Sequence, residues 1–106
     1  MIDTETLFLL ELSLAPGTVH DVMKHIHART GRATPRPTAH RYLRKLVDQG
    51  LLVFEVVTEP NHHHRGPSAY ARRRYSVTKS GRQLAQERLR KLGELVESYQ
   101  EVLPDA

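Results

Sequence analysis

Thr34-Pro35-Arg36-Pro37-Thr38-Ala39-His40-Arg41-Tyr42-Leu43-Arg44-Lys45-Leu46-Val47-Asp48-Gln49-Gly50-Leu51-Leu52-Val53-Phe54 changes its period partway along. Up to Gln49 the apolar residues Ala39, Leu43, Leu46 and Val47 recur at helical spacing. Thr38, Arg41, Arg44, Lys45 and Asp48 lie mostly away from that stripe. Proline is tolerated in a first helical turn, where its missing N–H has no intrahelical partner anyway. A helix capped by Thr34 or Arg36 is therefore predicted to run to about Gln49, with Gly50 as its stop. From Leu51 to Thr58 the chain is dense in Val, Leu and Phe, which favours a strand.

Working outward, Thr4–Leu14 is rich in helix formers, with Leu7, Leu10 and Leu14 on one stripe beside Phe8. Ala15-Pro16-Gly17 ends it. Thr18-x-x-Asp21 has the form of a capping box, with Asp in place of Glu. It opens a second helix to about Thr30 that buries Val19, Val22, Met23 and Ile26 and stops at Gly31. Downstream, Glu59–Ala69 holds two Pro, one Gly, one Asn and three His and is read as a loop. Ala69–Thr78 alternates, with Ala71, Tyr75 and Val77 suited to burial and Arg72, Arg74 and Ser76 to solvent. Arg73 breaks the alternation and marks a bulge, a twist or the point where the strand leaves the core. The last segment, Lys79–Leu103, is helical. Its Ala85, Leu89, Leu92, Val96, Tyr99 and Leu103 alternate spacings of four and three, the seam of a coiled-coil-like pairing. A helix of that length is about 37 Å long, more than a small core can cover, so a second copy of the chain is expected along it. Gly93 inside the seam costs about 1 kcal/mol relative to Ala, and close helix approach is the reason offered for it.

The order helix, helix, helix, two-stranded hairpin, long helix is mainly α with a small β-hairpin. It is the layout of a winged helix-turn-helix with a long C-terminal dimerisation helix. Residues 1–78 would form the winged part and residues 79–106 the dimerisation helix.

Composition sets the bounds. The chain has 106 residues, the size of one domain, with no room for a catalytic domain beside a cofactor domain. Apolar residues make up 39%, lean enough to anticipate a partner surface. Cysteine is absent, which excludes disulfides and thiolate metal sites and fits a reducing compartment. The longest apolar-rich stretch, Leu7–Leu14, is too short to span a bilayer and does not have the form of a signal segment. A cytoplasmic location with no membrane association is expected. The net charge of +4 conceals a segregation. Residues 21–82 hold thirteen Lys and Arg against four acids, a local +9 between acidic ends, and six of the seven His. Such segregation is the footprint of a polyanion-binding face.

The two basic clusters fall on the third helix and the hairpin, the parts of a winged helix that meet duplex DNA. Arginine offers a planar, bidentate donor to guanine and to phosphate. The candidate DNA contacts are Arg36, Pro37, Thr38, His40, Arg41, Arg44 and Lys45 on the helix, and Arg65, Arg72, Arg73 and Arg74 on the wing.

Thr38-Ala39-His40-Arg41-Tyr42-Leu43-x-x-Leu46-x-x-x-Gly50-Leu51-Leu52 is similar to the T-V-Y-x-x-L-x-x-L-x-x-x-G-L-[IV] recognition-helix pattern of PadR-like winged-helix transcriptional regulators. Tyr75-Ser76-Val77-Thr78-x-x-Gly81-Arg82 resembles that family's Y-x-L-T-x-x-G-R strand-to-helix corner. The likeness spans roughly residues 5–100. The second block is the more specific; the first is shared with other winged-helix groups, the MarR-like and ArsR-like among them. The chain departs from the family in three places. His40 stands where a Tyr is usual, Arg36-Pro37 where a small residue and Gly are usual, and Thr18-Val19-His20-Asp21-Val22 replaces an H-G-Y-[ED]-[LI] signature. His20 is therefore expected to face the dimer or the domain core. The resemblance implies a homodimer joined through its terminal helices, with Leu7 and Leu10 beside Ala85, Leu89, Leu92, Val96, Tyr99 and Leu103. It also implies a near-palindromic operator, usually repression, and in some members a small-molecule effector held near the dimer interface.

Rival readings are narrower. His62-His63-His64 at the wing tip invites a metal, but zinc needs three or four ligands fixed by their surroundings. A solvated wing tip, a DNA contact and a His-based metal-responsive regulator stand in that order, and neither a metal nor a cofactor is expected. Protonation of these histidines is expected to tighten DNA binding as pH falls. No Ser-His-Asp order with a nucleophile elbow, glycine-rich phosphate loop or H-E-x-x-H appears, so no enzyme is expected. The alternative from another class is a winged-helix module for protein–protein contact. Arg41, Arg44 and Lys45 on the third helix favour DNA over it.

Overall fold

The computed structural model describes residues 2–60 and 69–103. Helix α1 spans Thr4–Leu14, α2 Val19–Thr30 and α3 Arg36–Asp48. Strands β1, Leu52–Pro60, and β2, Ala69–Val77, form one antiparallel hairpin, and α4 runs from Lys79 to Val102. The fold is mainly α with a small hairpin, a winged helix-turn-helix followed by a long C-terminal helix.

Each helix start has a local cause. The Asp3 side chain accepts from the Thr6 amide at 2.7 Å and caps α1. Thr18 and Asp21 complete the capping box, with the Thr18 amide donating to Asp21 at 3.0 Å and the Asp21 amide to the Thr18 hydroxyl at 3.3 Å. Hydrogen bonds from Thr6 hold the Asp3 carboxyl below its usual range, and the Thr18 amide does the same for Asp21. Gly31 ends α2 in the left-handed region, at φ 76°. Helix α3 departs from the expected start: its N-cap is Pro35, at φ −57° and ψ 140°, with no side-chain cap.

Helix α1 is apolar nearly all round, and Thr6–Leu9, Glu11 and Leu12 are all buried. A helix of that kind belongs inside. Val22 and Ile26 of α2, Ala39, Leu43 and Leu46 of α3, Leu52, Tyr75 and Ala85 close around it. Buried Glu11 receives the Arg29 Nε at 2.6 Å, which satisfies a carboxylate that would be costly to bury alone.

The hairpin register runs from Leu52↔Val77 to Pro60↔Ala69 without interruption, so Arg73 marks no bulge. Strand β1 runs on through Glu59 and Pro60, the start of the expected loop, whereas β2 begins at Ala69 as expected and ends one residue early, at Val77. Only the hairpin base is in the core. Tyr75 is buried and bridges Gly17 through two backbone hydrogen bonds of 3.1 and 2.8 Å, whereas Ala71, expected to be buried, is exposed. The strand has left the core by that point. His62, His63, His64 and Arg65 lie outside the described residues.

The corner between β2 and α4 gives the second sequence block its physical meaning. The Thr78 amide donates to the Leu51 carbonyl at 3.0 Å and its hydroxyl to the Gly50 carbonyl at 2.8 Å, while that hydroxyl accepts from the Gly81 amide at 3.0 Å. Gly81 sits so close to Leu51 that a Cβ would collide with the Leu51 carbonyl oxygen.

Candidate nucleic-acid interface

The side of α3 turned away from Ala39, Leu43 and Leu46 carries Arg36, Pro37, His40, Arg41, Arg44 and Lys45, all exposed, with Thr38 half-buried. Arg36, His40 and Arg44 recur at four-residue steps and share one stripe. At 1.5 Å per residue that stripe is about 12 Å long, the width of a B-DNA major groove. Lys45 is drawn aside: its Nζ lies 3.1 Å from Glu5 on α1. An exposed pair of this kind adds little stability, about 0–1 kcal/mol, but it offsets the Lys45 charge.

The three wing arginines do not act as one cluster. Successive strand residues point to opposite faces. Arg72 and Arg74 share one face with their register partners Val57 and Glu55, and Arg73 takes the other with Val56. The Arg73 guanidinium lies 4.4 Å from the centroid of the Phe54 ring, a cation–π stack, and Phe54 in turn packs on Tyr75.

His20 is the residue that sequence reasoning misplaced. It is exposed, so it does not face the domain core. With Thr18, Val19, Arg36, His40, Ala71 and Arg72 it lines a crevice of about 520 Å³ between the first turns of α2 and α3 and strand β2. Its position, two residues past the cap of the helix that precedes α3, was the available signal.

The expected dimer residues divide in two. Leu7 and Ala85 are 6% and 2% exposed, so both are already core residues of the single chain. The first half of α4 packs on α1, with Arg88 donating to the Thr6 hydroxyl at 2.9 Å. Leu10, Leu14, Arg82 and Leu89 join Leu7 and Ala85 around an apolar groove of about 370 Å³ between the two helices. Leu92 is half-buried, and from Gly93 to Leu103 every residue is exposed, Leu95, Val96, Tyr99, Val102 and Leu103 among them. Apart from its own helix, nothing among the described residues lies within 4 Å of a Cβ placed on Gly93, so no close approach among them explains that glycine.

Among the described residues, no group of three or more His, Asp or Glu is placed to hold a metal ion, and no helix is long and apolar enough to cross a membrane. No protein-family profile and no curated protein sequence matches the chain. Solved structures do. A PadR family transcription regulator from Clostridium difficile R20291 is similar at 14% identity and a TM-score of 0.74, over 94% of this chain and 97% of that one. A PadR family transcriptional regulator from Eggerthella lenta is 23% identical at a TM-score of 0.69, over 95% and 84%. Bacillus subtilis PadR in complex with operator DNA is 18% identical at 0.68, over 80% of this chain and 45% of its own. At such identities the likeness is one of fold, and the fold is the winged helix of PadR-like transcriptional regulators.

Proposed function

We propose that the chain is a sequence-specific, double-stranded DNA-binding transcriptional regulator that acts as a homodimer on a near-palindromic operator, as a repressor. Residues 1–78 read the DNA and residues 79–106 pair the two copies. The observation that carries this reading is the exposed stripe Arg36, His40 and Arg44 on α3, flanked by Arg41, on a helix whose opposite side is locked into the core. The uncovered apolar length of α4 supports the second copy. The apolar groove between α1 and α4 suits a small-molecule effector at the same interface. Such a protein works where the DNA is, in the cytoplasm.

The test is retention of genomic duplex fragments across a salt series. Affinity should fall steeply with salt as neutralised phosphates release counterions. Selected sites should have half-sites about one helical turn apart, roughly 34–36 Å. Arg41→Ala and Arg44→Ala should cost more on selected sites than on random duplex, and Arg73→Ala should weaken both alike. Salt-insensitive or absent binding rejects the reading; equal losses for all three variants reject the division of roles.

A further inference from the structure

The crevice beside the N-terminal end of α3 brings together four side chains that carry or can acquire positive charge. His20 comes from α2, Arg36 and His40 from α3, and Arg72 from β2. They are far apart in sequence and converge only in the fold. Lys24 and Arg44 follow one turn further along α2 and α3. The lining itself holds no acid; Asp21 stands next to His20 on α2, with its carboxylate bonded to the Thr18 amide in the capping box. On β1 the register partner of Arg72 is Val57, and an acid on that face is Glu55, opposite Arg74. Against these two carboxylates the lining sets His20, Arg36, His40 and Arg72, a balance that favours an anion. The crevice also opens at the end of the stripe placed to enter the major groove, beside the outer part of strand β2, where the sugar–phosphate backbone bordering that groove would pass.

We propose that this crevice holds a phosphodiester group of the DNA backbone, and that His20 and His40 bind it in their imidazolium form. Binding there takes up protons. Arg36 and Arg72 keep their charge at any physiological pH, so they supply affinity without pH dependence. The two imidazoles supply the dependence, since histidine is the side chain that ordinarily changes charge between pH 5 and 8. A phosphate between them stabilises the charged rings, so affinity rises as pH falls. Each histidine fully charged in the complex and neutral in the free protein adds up to about a tenfold change in Kd per pH unit, the linkage limit for one proton. The inference rests on the DNA-binding reading and assigns its pH response to the crevice rather than to the wing-tip histidines.

The experiment measures the Kd of the full chain for a random duplex at pH 6, 7 and 8, at constant ionic strength. Wild type, the double variant His20→Gln/His40→Gln and the triple variant His62→Ala/His63→Ala/His64→Ala are compared, each checked for native helix content by circular dichroism. Glutamine keeps a hydrogen-bonding group and removes the titration. Wild type and the triple variant should weaken at least about tenfold from pH 6 to pH 8, within the linkage limit. The double variant should change less than about twofold over the same range. A double variant that keeps the wild-type slope overturns the inference, and so does a triple variant that loses it. Salt-sensitive binding with no pH slope in wild type overturns this inference alone, whereas absence of DNA binding at every pH overturns the functional reading with it.

Discussion

Replacing Leu89 by Ala tests the homodimer at the place where the chain is half committed to it. Leu89 is 54% exposed: part of it lines the groove against α1 and the rest faces outward. Burying a leucine completely is worth about 1.5–3 kcal/mol. The outward half therefore contributes about 1 kcal/mol when a second copy covers it. In a two-fold dimer each residue is present twice, so Leu89→Ala weakens association by about 2 kcal/mol, roughly thirtyfold in the dimer Kd. The half already packed on α1 makes the same variant cost about 1 kcal/mol of single-chain stability, which a melt at dilute concentration separates from association. Glu101→Ala, on the side of α4 away from the seam, is the matched control. Sedimentation equilibrium over a concentration series reads both. Equal Kd shifts for the two variants, or a wild-type chain that stays monomeric at about 100 µM, where an affinity above about −5.5 kcal/mol would leave it, refute the argument.

Two further outcomes follow from the local geometry. Gly81→Ala drives a Cβ into the Leu51 carbonyl, and overpacking against backbone should cost about 2–3 kcal/mol, a drop of roughly 8 °C or more in Tm; an unchanged melt would show that the corner relaxes freely. Folding lowers the pKa of Asp3 and of Asp21, so the stability that their caps add is complete above about pH 4 and is lost as pH falls through the folded values. Asp21→Asn should flatten the loss of stability between about pH 5 and pH 2, and an acid-unfolding curve superimposable on wild type contradicts it.

Much of this fold is written locally. The Thr18/Asp21 capping box, the left-handed Gly31 and Gly50 after α2 and α3, and the change of period at Leu51 all act through neighbours in sequence, so short windows reveal them. The start of α3 is also local, but it lies in the two prolines rather than in a Thr34 or Arg36 cap. Pro35 enters the helix with φ fixed by its ring, and Pro37 in the first turn removes one N–H that a cap would have to satisfy, so the helix starts without a side-chain cap. The wing arginines show the limit of counting charge. Arg72, Arg73 and Arg74 are one cluster in composition and two faces in a strand. The crevice is only partly legible: the Thr18 cap places His20 in the first turn of α2, but no local period reports that residue 20 meets residues 36, 40 and 72. The uncovered seam was legible for the opposite reason: a strict spacing of four and three persists where the chain has nothing left to pack against it.

Helices α3 and α4 meet at one residue, and under the proposed function this bears on how a 106-residue chain would measure DNA. Gly50 and Leu51 end α3 and lead into the wing; Thr78 ends the wing and caps α4. A single threonine donates to the Gly50 and Leu51 carbonyls and accepts from Gly81, so the exit of one helix and the entrance of the other share a three-bond knot. Because Gly81 carries no Cβ, the two backbones close to contact there, which leaves no slack between them. A second tie joins the same halves at the far side of α1, where Arg88 of α4 holds Thr6 and Lys45 of α3 holds Glu5. Helix α1 thus contacts both α3 and α4. Under the homodimer reading, the distance between the two α3 helices is then set by how two α4 helices pack, with no flexible linker to average over operator spacings. Under the same reading, anything that shifts the α1–α4 groove alters that distance, which is why the proposed effector is placed there.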